Sequence, residues 1–122
     1  MHTVKGQPVH LIEVPDAESM ASRALDELLS CAQESIQKQG RFLWAISGGS
    51  TPKRFFELLA NCRGAQRLSW QAVHLFWVDE RAVDPDDVAS NYRLAAETFL
   101  GALPIPAENV HRMRGEAEDL NE

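Results

Sequence analysis

The segment Phe42–Pro52 places an apolar run directly before a glycine-rich turn and a helix start. Phe42–Ile46 has no polar alternation, which is typical of a strand covered on both faces. Two glycines then allow a tight turn, and Pro52 fits the first position of a helix capped by Thr51. Such a turn aims backbone N–H groups and the positive end of a helix dipole at one point. The segment therefore predicts a site for a phosphate or another small anion. The alternative interpretation is a turn in which the glycines supply backbone freedom alone.

The rest of the chain alternates strand and helix patterns. Val9–Val14 predicts a first strand, and a long amphipathic helix follows from a cap at Asp16 to Gly40. Val73–Val78 predicts a second buried strand, parallel to Phe42–Ile46 because a helical crossover joins them. The remaining predicted elements are a helix over Ser90–Leu100, a weak strand over Asn109–Met113 and the first turn of a helix over Glu116–Glu122.

This order of elements predicts an α/β fold with an open parallel sheet and helices on both faces, a Rossmann-like three-layer arrangement. The acidic helix start over Glu116–Glu122 has no apolar face to bury, so we expect residues 1–122 to be part of a single, truncated domain. A partial sheet would expose a strand edge, and exposed edges favour association. We therefore expect a homo-oligomer formed through that edge.

Composition excludes several classes of protein. The net charge of −6 argues against a nucleic-acid partner. No apolar run approaches the roughly 20 residues that span a bilayer, and the N-terminus lacks the apolar core of a signal peptide. Cys31, Cys62 and the four histidines show no metal-ligand spacing, so no metal site is predicted. These features predict a cytoplasmic protein without a membrane partner.

Two polar loops follow the predicted parallel strands at their carboxyl ends. Ser47–Pro52 follows the first strand and Asp79–Arg81 follows the second, so both loops are expected at the same edge of the sheet, where ligands bind in such folds. Taken alone, Asp79 and Arg81 are typical of a loop salt bridge and a helix cap. Taken alone, Ser90 and Asn91 are typical of an ordinary helix N-cap. The convergence of the two loops favours a binding site over these separate interpretations.

Other motifs are excluded by spacing. The glycine turn lacks the Gly-Lys-Ser/Thr ending of a Walker A loop and does not match G-x-G-x-x-G. It comes close to the G-x-S-x-G elbow, with Ser50 at the serine position, but Pro52 stands where the last glycine belongs. No histidine or carboxylate can be assigned to activate Ser50. A serine nucleophile is therefore not predicted.

Several segments together resemble the 6-phosphogluconolactonase family. They are Ser47-Gly48-Gly49-Ser50-Thr51-Pro52, Trp70 ahead of a strand that ends in Asp79-Glu80-Arg81-x-Val83, Ser90-Asn91-Tyr92, Leu103-Pro104-Ile105-Pro106 and Gly115-Glu116. The resemblance covers nearly the whole chain but only the N-terminal half of that enzyme. The related glucosamine-6-phosphate deaminases typically carry Asp-Glu-Tyr after the equivalent strand, so Arg81 favours the lactonase branch.

The resemblance implies hydrolysis of 6-phosphoglucono-δ-lactone to 6-phosphogluconate in the pentose phosphate pathway, without metal or cofactor. It implies that a sugar phosphate is the partner and that Asp79 and Arg81 support catalysis, Asp79 by orienting a histidine and Arg81 by binding phosphate or the oxyanion. The residues implied in substrate and phosphate binding are Ser47, Gly48, Gly49, Ser50, Thr51, Arg81 and Asn91. The family's proposed general base lies in a G-x-G-x-D-G-H segment that this chain does not contain. The chain alone is therefore expected to be inactive.

Two alternatives stay open at this point. The first is a glucosamine-6-phosphate deaminase-like sugar-phosphate isomerase, which activity on glucosamine 6-phosphate would distinguish. The second is a non-catalytic sugar-phosphate-binding module, which would bind ligand without turnover.

Overall fold

The N-terminal segment forms a small antiparallel pair instead of the predicted first strand of the parallel sheet. The computed structural model describes residues 2–4, 7–9 and 11–118. Strand β1 (His2–Val4) pairs with β2 (Gln7–Val9). The prediction of a strand over Val9–Val14 is wrong for residues 11–14, which are irregular and leave Leu11 and Ile12 exposed. An apolar run becomes a strand only where a neighbour completes its ladder, and Val9 finds that neighbour in β1.

Helix α1 (Ala17–Gln39) begins and ends where the sequence predicts. The Asp16 carboxylate accepts the backbone N–H of Ser19 at 2.7 Å, which satisfies one free donor of the first turn. Gly40 ends the helix at φ 79°, and its N–H donates to the Ile36 carbonyl at 2.9 Å. This left-handed cap is the reason that a glycine stands there.

The central sheet contains three parallel strands, in the order β3 (Phe42–Ile46), β4 (Val73–Trp77) and β5 (Val110–His111). Phe42 pairs with Val73, and Ile46 pairs with Trp77, so β3 and β4 end level with each other. The predicted parallel crossover and the weak strand near residue 110 are thereby confirmed.

Three further helices follow the strands. They are α2 (Ser50–Ala60), α3 (Arg63–Gln66) and α4 (Asn91–Ala95), the last continued by a π-helical turn over Ala96–Leu100. Short 3-10 turns over Trp70–Ala72 and Ala107–Asn109 lead into β4 and β5. The predicted helical turn near the C-terminus does not form over residues 116–118, where Glu116 instead pairs with Arg112 at 2.8 Å; residues 119–122 lie outside the described residues.

The hydrophobic core lies on one face of the sheet. Every second residue of β3 and β4 points into it, and all four helices contribute to the same cluster. Its members include Leu28, Ala32, Ile46, Phe56, Leu59, Ala65, Val73, Leu75, Trp77, Ala95 and Phe99. The predicted α/β class with a parallel sheet is confirmed.

The opposite face of the sheet is open. Leu43 is 54% exposed and Phe76 is 37% exposed. The second helical layer of the predicted three-layer arrangement, which would cover both residues, is not among the described residues. Within those residues, no helix has the length and apolar character that a membrane span requires.

Candidate functional site

The two predicted loops leave the sheet at the same edge. Because β3 and β4 are parallel and end level at Ile46 and Trp77, the chain leaves both strands side by side. The Val78 N–H donates to the Ile46 carbonyl at 2.8 Å and extends the ladder one step beyond the strands. The glycine turn and the Asp79–Arg81 loop therefore start as neighbours, as the sequence predicts.

The glycine turn is built by two glycines with different tasks. Gly49 has φ 114°, a conformation that side-chain-bearing residues rarely adopt. A β-carbon on Gly48 would lie 2.0 Å from the Asn91 Oδ1 atom, so only a glycine allows this close approach. Gly49 is required by its backbone conformation, and Gly48 is required by the close approach of Asn91.

Helix α2 begins two residues earlier than predicted. Gly49 is its N-cap and Ser50 its first residue, so the assignment of Thr51 as cap and Pro52 as first position is wrong. The reason is the positive φ of Gly49, which turns the chain into the helix at once; its carbonyl accepts the Lys53 N–H at 3.1 Å. No side chain caps this helix. Its first N–H groups and the positive end of its dipole therefore face the space beside the turn.

Glu80 is the organising residue of the second loop. Its carboxylate accepts the backbone N–H groups of Arg81 at 2.8 Å, Asn91 at 2.7 Å and Tyr92 at 3.0 Å, and the Ser90 hydroxyl at 2.9 Å. Burial raises the pKa of Glu80, but these donors together hold it below its usual value. Glu80 thereby caps α4 and fixes the backbone of the Arg81 loop.

Asn91 joins the two loops. Its side chain is buried, and its Nδ2 atom donates to the Asp79 carbonyl and to the Asp79 Oδ1 atom, both at 3.2 Å. Its Oδ1 atom lies against Gly48. The predicted N-cap of α4 is confirmed at Ser90, whose Oγ atom accepts the Arg93 N–H at 3.2 Å.

A cleft of about 510 Å³ lies between the glycine turn and the second loop. Four of the predicted binding residues line it, together with residues for which the sequence predicts no role in binding. The lining residues are Gly49, Ser50, Lys53, Arg81, Val88, Ala89, Ser90, Asn91 and Leu94. The structure thus brings the glycine turn, Arg81 and Asn91 together around one space.

The other predicted site residues lie outside this cleft. Ser47 and Thr51 line a separate, mostly apolar cavity of about 280 Å³ beside α1. Gly48 packs against the Asn91 side chain, and the Asp79 carboxylate accepts a hydrogen bond from Asn91 Nδ2. Asp79 and Arg81 form no salt bridge with each other, which excludes that interpretation of the pair.

Sequence reasoning missed two residues of the site. No role is predicted for Glu80 from the sequence, although a loop carboxylate ahead of a Ser-Asn helix start is a possible cap. Lys53 stands on the first turn of α2, three residues after Ser50, and this spacing could have placed it near the turn.

The cleft is positively charged although the chain carries a net charge of −6. Lys53 and Arg81 are the charged side chains among the lining residues, and both are cationic. With the uncapped start of α2 beside them, they suit an anionic ligand. No histidine of the described residues lines the cleft.

Comparison with known proteins identifies the family. Residues 15–122 match the family described as glucosamine-6-phosphate isomerases/6-phosphogluconolactonase. A 6-phosphogluconolactonase from a Nostoc species is 45% identical over 98 residues, which is 80% of this chain and 39% of that protein. The solved structure of a protein called devB is 38% identical with a TM-score of 0.75, over 85% of this chain and 42% of that one.

A third relative shares the fold. The solved structure of a monomeric glucosamine-6-phosphate deaminase has a TM-score of 0.77 at 19% identity, over 90% of this chain and 44% of that one. The chain spans about two fifths of the length of the relatives it matches. On the extent of the family match and these identities, the chain belongs to the glucosamine-6-phosphate isomerase/6-phosphogluconolactonase family.

Proposed function

We propose that this chain provides the sugar-phosphate-binding part of a 6-phosphogluconolactonase. The observation that carries the proposal is the cleft in which the glycine turn, the start of α2 and Arg81 meet. Relatives that are 45% and 38% identical to the chain are named 6-phosphogluconolactonase. The substrate is 6-phosphoglucono-δ-lactone, and its phosphate binds at the cleft.

The proposed binding residues divide into two groups by their position. Gly49, Ser50 and Arg81 line the cleft and contact the ligand directly, and Asn91 lines the cleft beside them. Ser47, Gly48 and Thr51 shape the turn that holds it. Asn91 contributes through its fixed position, because its Nδ2 donor already serves Asp79.

The chemistry needs a base that this chain does not supply. In lactone hydrolysis a base removes a proton from water, the water oxygen adds to the carbonyl carbon, and the ring C–O bond breaks as its oxygen takes up a proton. Arg81 stabilises the oxyanion or holds the phosphate, and Asp79 orients the histidine that acts as base. The G-x-G-x-D-G-H segment that carries this histidine in the family is absent from the 122 residues. We therefore propose that the chain alone binds ligand without turnover.

A cellular setting and a mode of association are part of the proposal. We place it in the cytoplasm as an enzyme of sugar metabolism, without a nucleic-acid partner because of its net charge of −6. Strand β3 is at the edge of the described sheet, and this edge is where we propose that copies associate.

An amide NMR titration of the 122-residue chain with 6-phosphogluconate tests the proposal. We expect saturable shifts of the amide signals of Gly49, Ser50 and Arg81. The signals of Leu11 and Ile12, which do not line the cleft, should shift less. A parallel titration with glucosamine 6-phosphate tests the deaminase alternative. Tighter binding of the amino sugar would favour that alternative, and a spectrum that ignores both ligands would contradict the proposed site.

A further inference from the structure

The first turn of α2 carries two adjacent cations with different surroundings. Arg54 is neutralised: its guanidinium donates to both carboxylate oxygens of Glu18, at 2.8 Å and 2.7 Å. Lys53, the preceding residue, forms no ion pair or hydrogen bond through its side chain among the described residues. Lys53 lines the cleft instead.

Among the residues that the structure describes, the other side of the cleft also has one paired and one unpaired cation. Arg93, near the cleft on α4, donates to Glu97 at 2.6 Å and to the Asp86 carbonyl at 3.0 Å. Arg81 lines the cleft, and within residues 11–118 its guanidinium has no carboxylate partner. The cations around the cleft are thus paired with acids, and the two that line it are not.

Two unpaired like charges around one space repel each other, so this arrangement gains most from a ligand with two negative charges. A phosphate monoester carries close to two charges above about pH 6. A carboxylate carries one, and a single cation suffices for it. The ammonium group of a lysine acts as a point charge on a flexible stem, which suits recognition of charge more than of shape.

We infer that Lys53 is a specificity-determining residue that, with Arg81, selects phosphorylated over unphosphorylated sugar acids. This inference rests on the proposed function, since it assigns a further ligand contact within the same cleft. Lys53 donates to the phosphate from the α2 side while Arg81 donates from the facing loop.

The test measures the affinity of the 122-residue chain for 6-phosphogluconate and for gluconate by calorimetry or NMR titration. We expect Lys53→Gln to weaken 6-phosphogluconate binding about tenfold, the effect of one charge-assisted hydrogen bond, and to change gluconate binding less than twofold. Lys53→Arg keeps the charge and should retain most of the affinity. Arg63→Gln, which removes an exposed cation from α3, is the matched control and should bind as the unaltered chain does.

The outcomes separate the inference from the proposed function. Absence of 6-phosphogluconate binding by the unaltered chain would overturn both. Binding by the unaltered chain with equal affinity in Lys53→Gln would overturn only the role of Lys53. Equal weakening in Lys53→Gln and Arg63→Gln would also overturn it, because the effect would then come from net charge. Since Lys53 is exposed, the variant should keep a dispersed spectrum, which verifies that it folds.

Discussion

Asn91 lies so close to Gly48 that a β-carbon on the glycine would be 2.0 Å from the amide oxygen. This contact joins the loop after β3 to the helix after β4. The two sides of the proposed site are therefore held in position by a packing contact as well as by the sheet.

Replacing Gly48 with Ala should push the two loops apart. We expect Gly48→Ala to lower the free energy of unfolding by about 1–3 kcal/mol, the usual effect of overpacking. Urea denaturation measures it. Gly64→Ala is the control, because a β-carbon there meets only ordinary contacts at 3.6 Å and 3.7 Å. Asn91→Ala, which also removes the hydrogen bonds to Asp79, should cost less in the Gly48→Ala variant than in the unaltered chain, and strictly additive effects would show that the clash is not the cause.

The Glu80 carboxylate should make stability depend on pH. Its folded-state pKa lies below its unfolded value of about 4.3, so its contribution is present above that value and is lost as the pH falls through the folded pKa. Glu80→Gln should cost about 1–2 kcal/mol at pH 7, because an amide cannot accept all four hydrogen bonds. The cost should shrink in acid.

Unfolding curves of the chain and of Glu80→Gln between pH 7 and pH 3 measure this dependence. Glu13→Gln serves as the control, since Glu13 is exposed and makes no side-chain hydrogen bond among the described residues. A constant difference between the chain and Glu80→Gln across this range would contradict the role of Glu80.

The two buried tryptophans should respond differently to the same substitution. Trp70 Nε1 donates to the Ala65 carbonyl at 2.6 Å, whereas Trp77 Nε1 is buried without a partner among the described residues. Trp70→Phe removes one of the two hydrogen bonds that the Ala65 carbonyl accepts, the other coming from the Leu68 N–H at 3.1 Å, whereas Trp77→Phe removes an unpaired donor. We expect Trp70→Phe to be the more destabilising by about 1–2 kcal/mol. Far-UV circular dichroism in urea compares them, and equal losses would contradict this assignment.

The segment after β5 contains an ion pair between Arg112 and Glu116. The guanidinium of Arg112 donates to Glu116 and lies over the Tyr92 ring, 5.6 Å from its centroid. Hydrogen bonds from Arg112 lower the pKa of Glu116 to about 2. Carboxyl NMR titration should find this value, and Arg112→Gln should move it towards the ordinary value of about 4.3. An unchanged pKa in the variant would show that the ion pair is not the cause.

Local signals allowed part of this structure to be predicted. The Asp16 cap and the left-handed Gly40 depend on neighbours within one helical turn, and the sequence places both correctly. The parallel pairing of β3 and β4 follows from the helical connection between them. The meeting of the glycine turn with Arg81 follows in turn from that pairing.

The parts that could not be predicted depend on distant residues. Residues 11–14 have the composition of a strand, but no strand pairs with them in the part of the chain that the structure describes. Glu80 acts through donors that are 10 to 12 residues away, except for the adjacent Arg81, and no periodic pattern marks such contacts. Lys53 and Arg54 are adjacent cations. What distinguishes their surroundings is the acidic partner of Arg54, which is Glu18, 36 residues earlier in the chain.

The hydrogen bonds of Glu80 have a consequence for the order of folding. They close loops of only 10 to 12 residues, so the chain entropy that must be lost to form them is small. The contact of Asn91 with Gly48 closes a much longer loop and also needs the sheet. The Arg81 side of the cleft can therefore form early, as a local unit within residues 79–92, while the complete cleft has to await the pairing of β3 with β4.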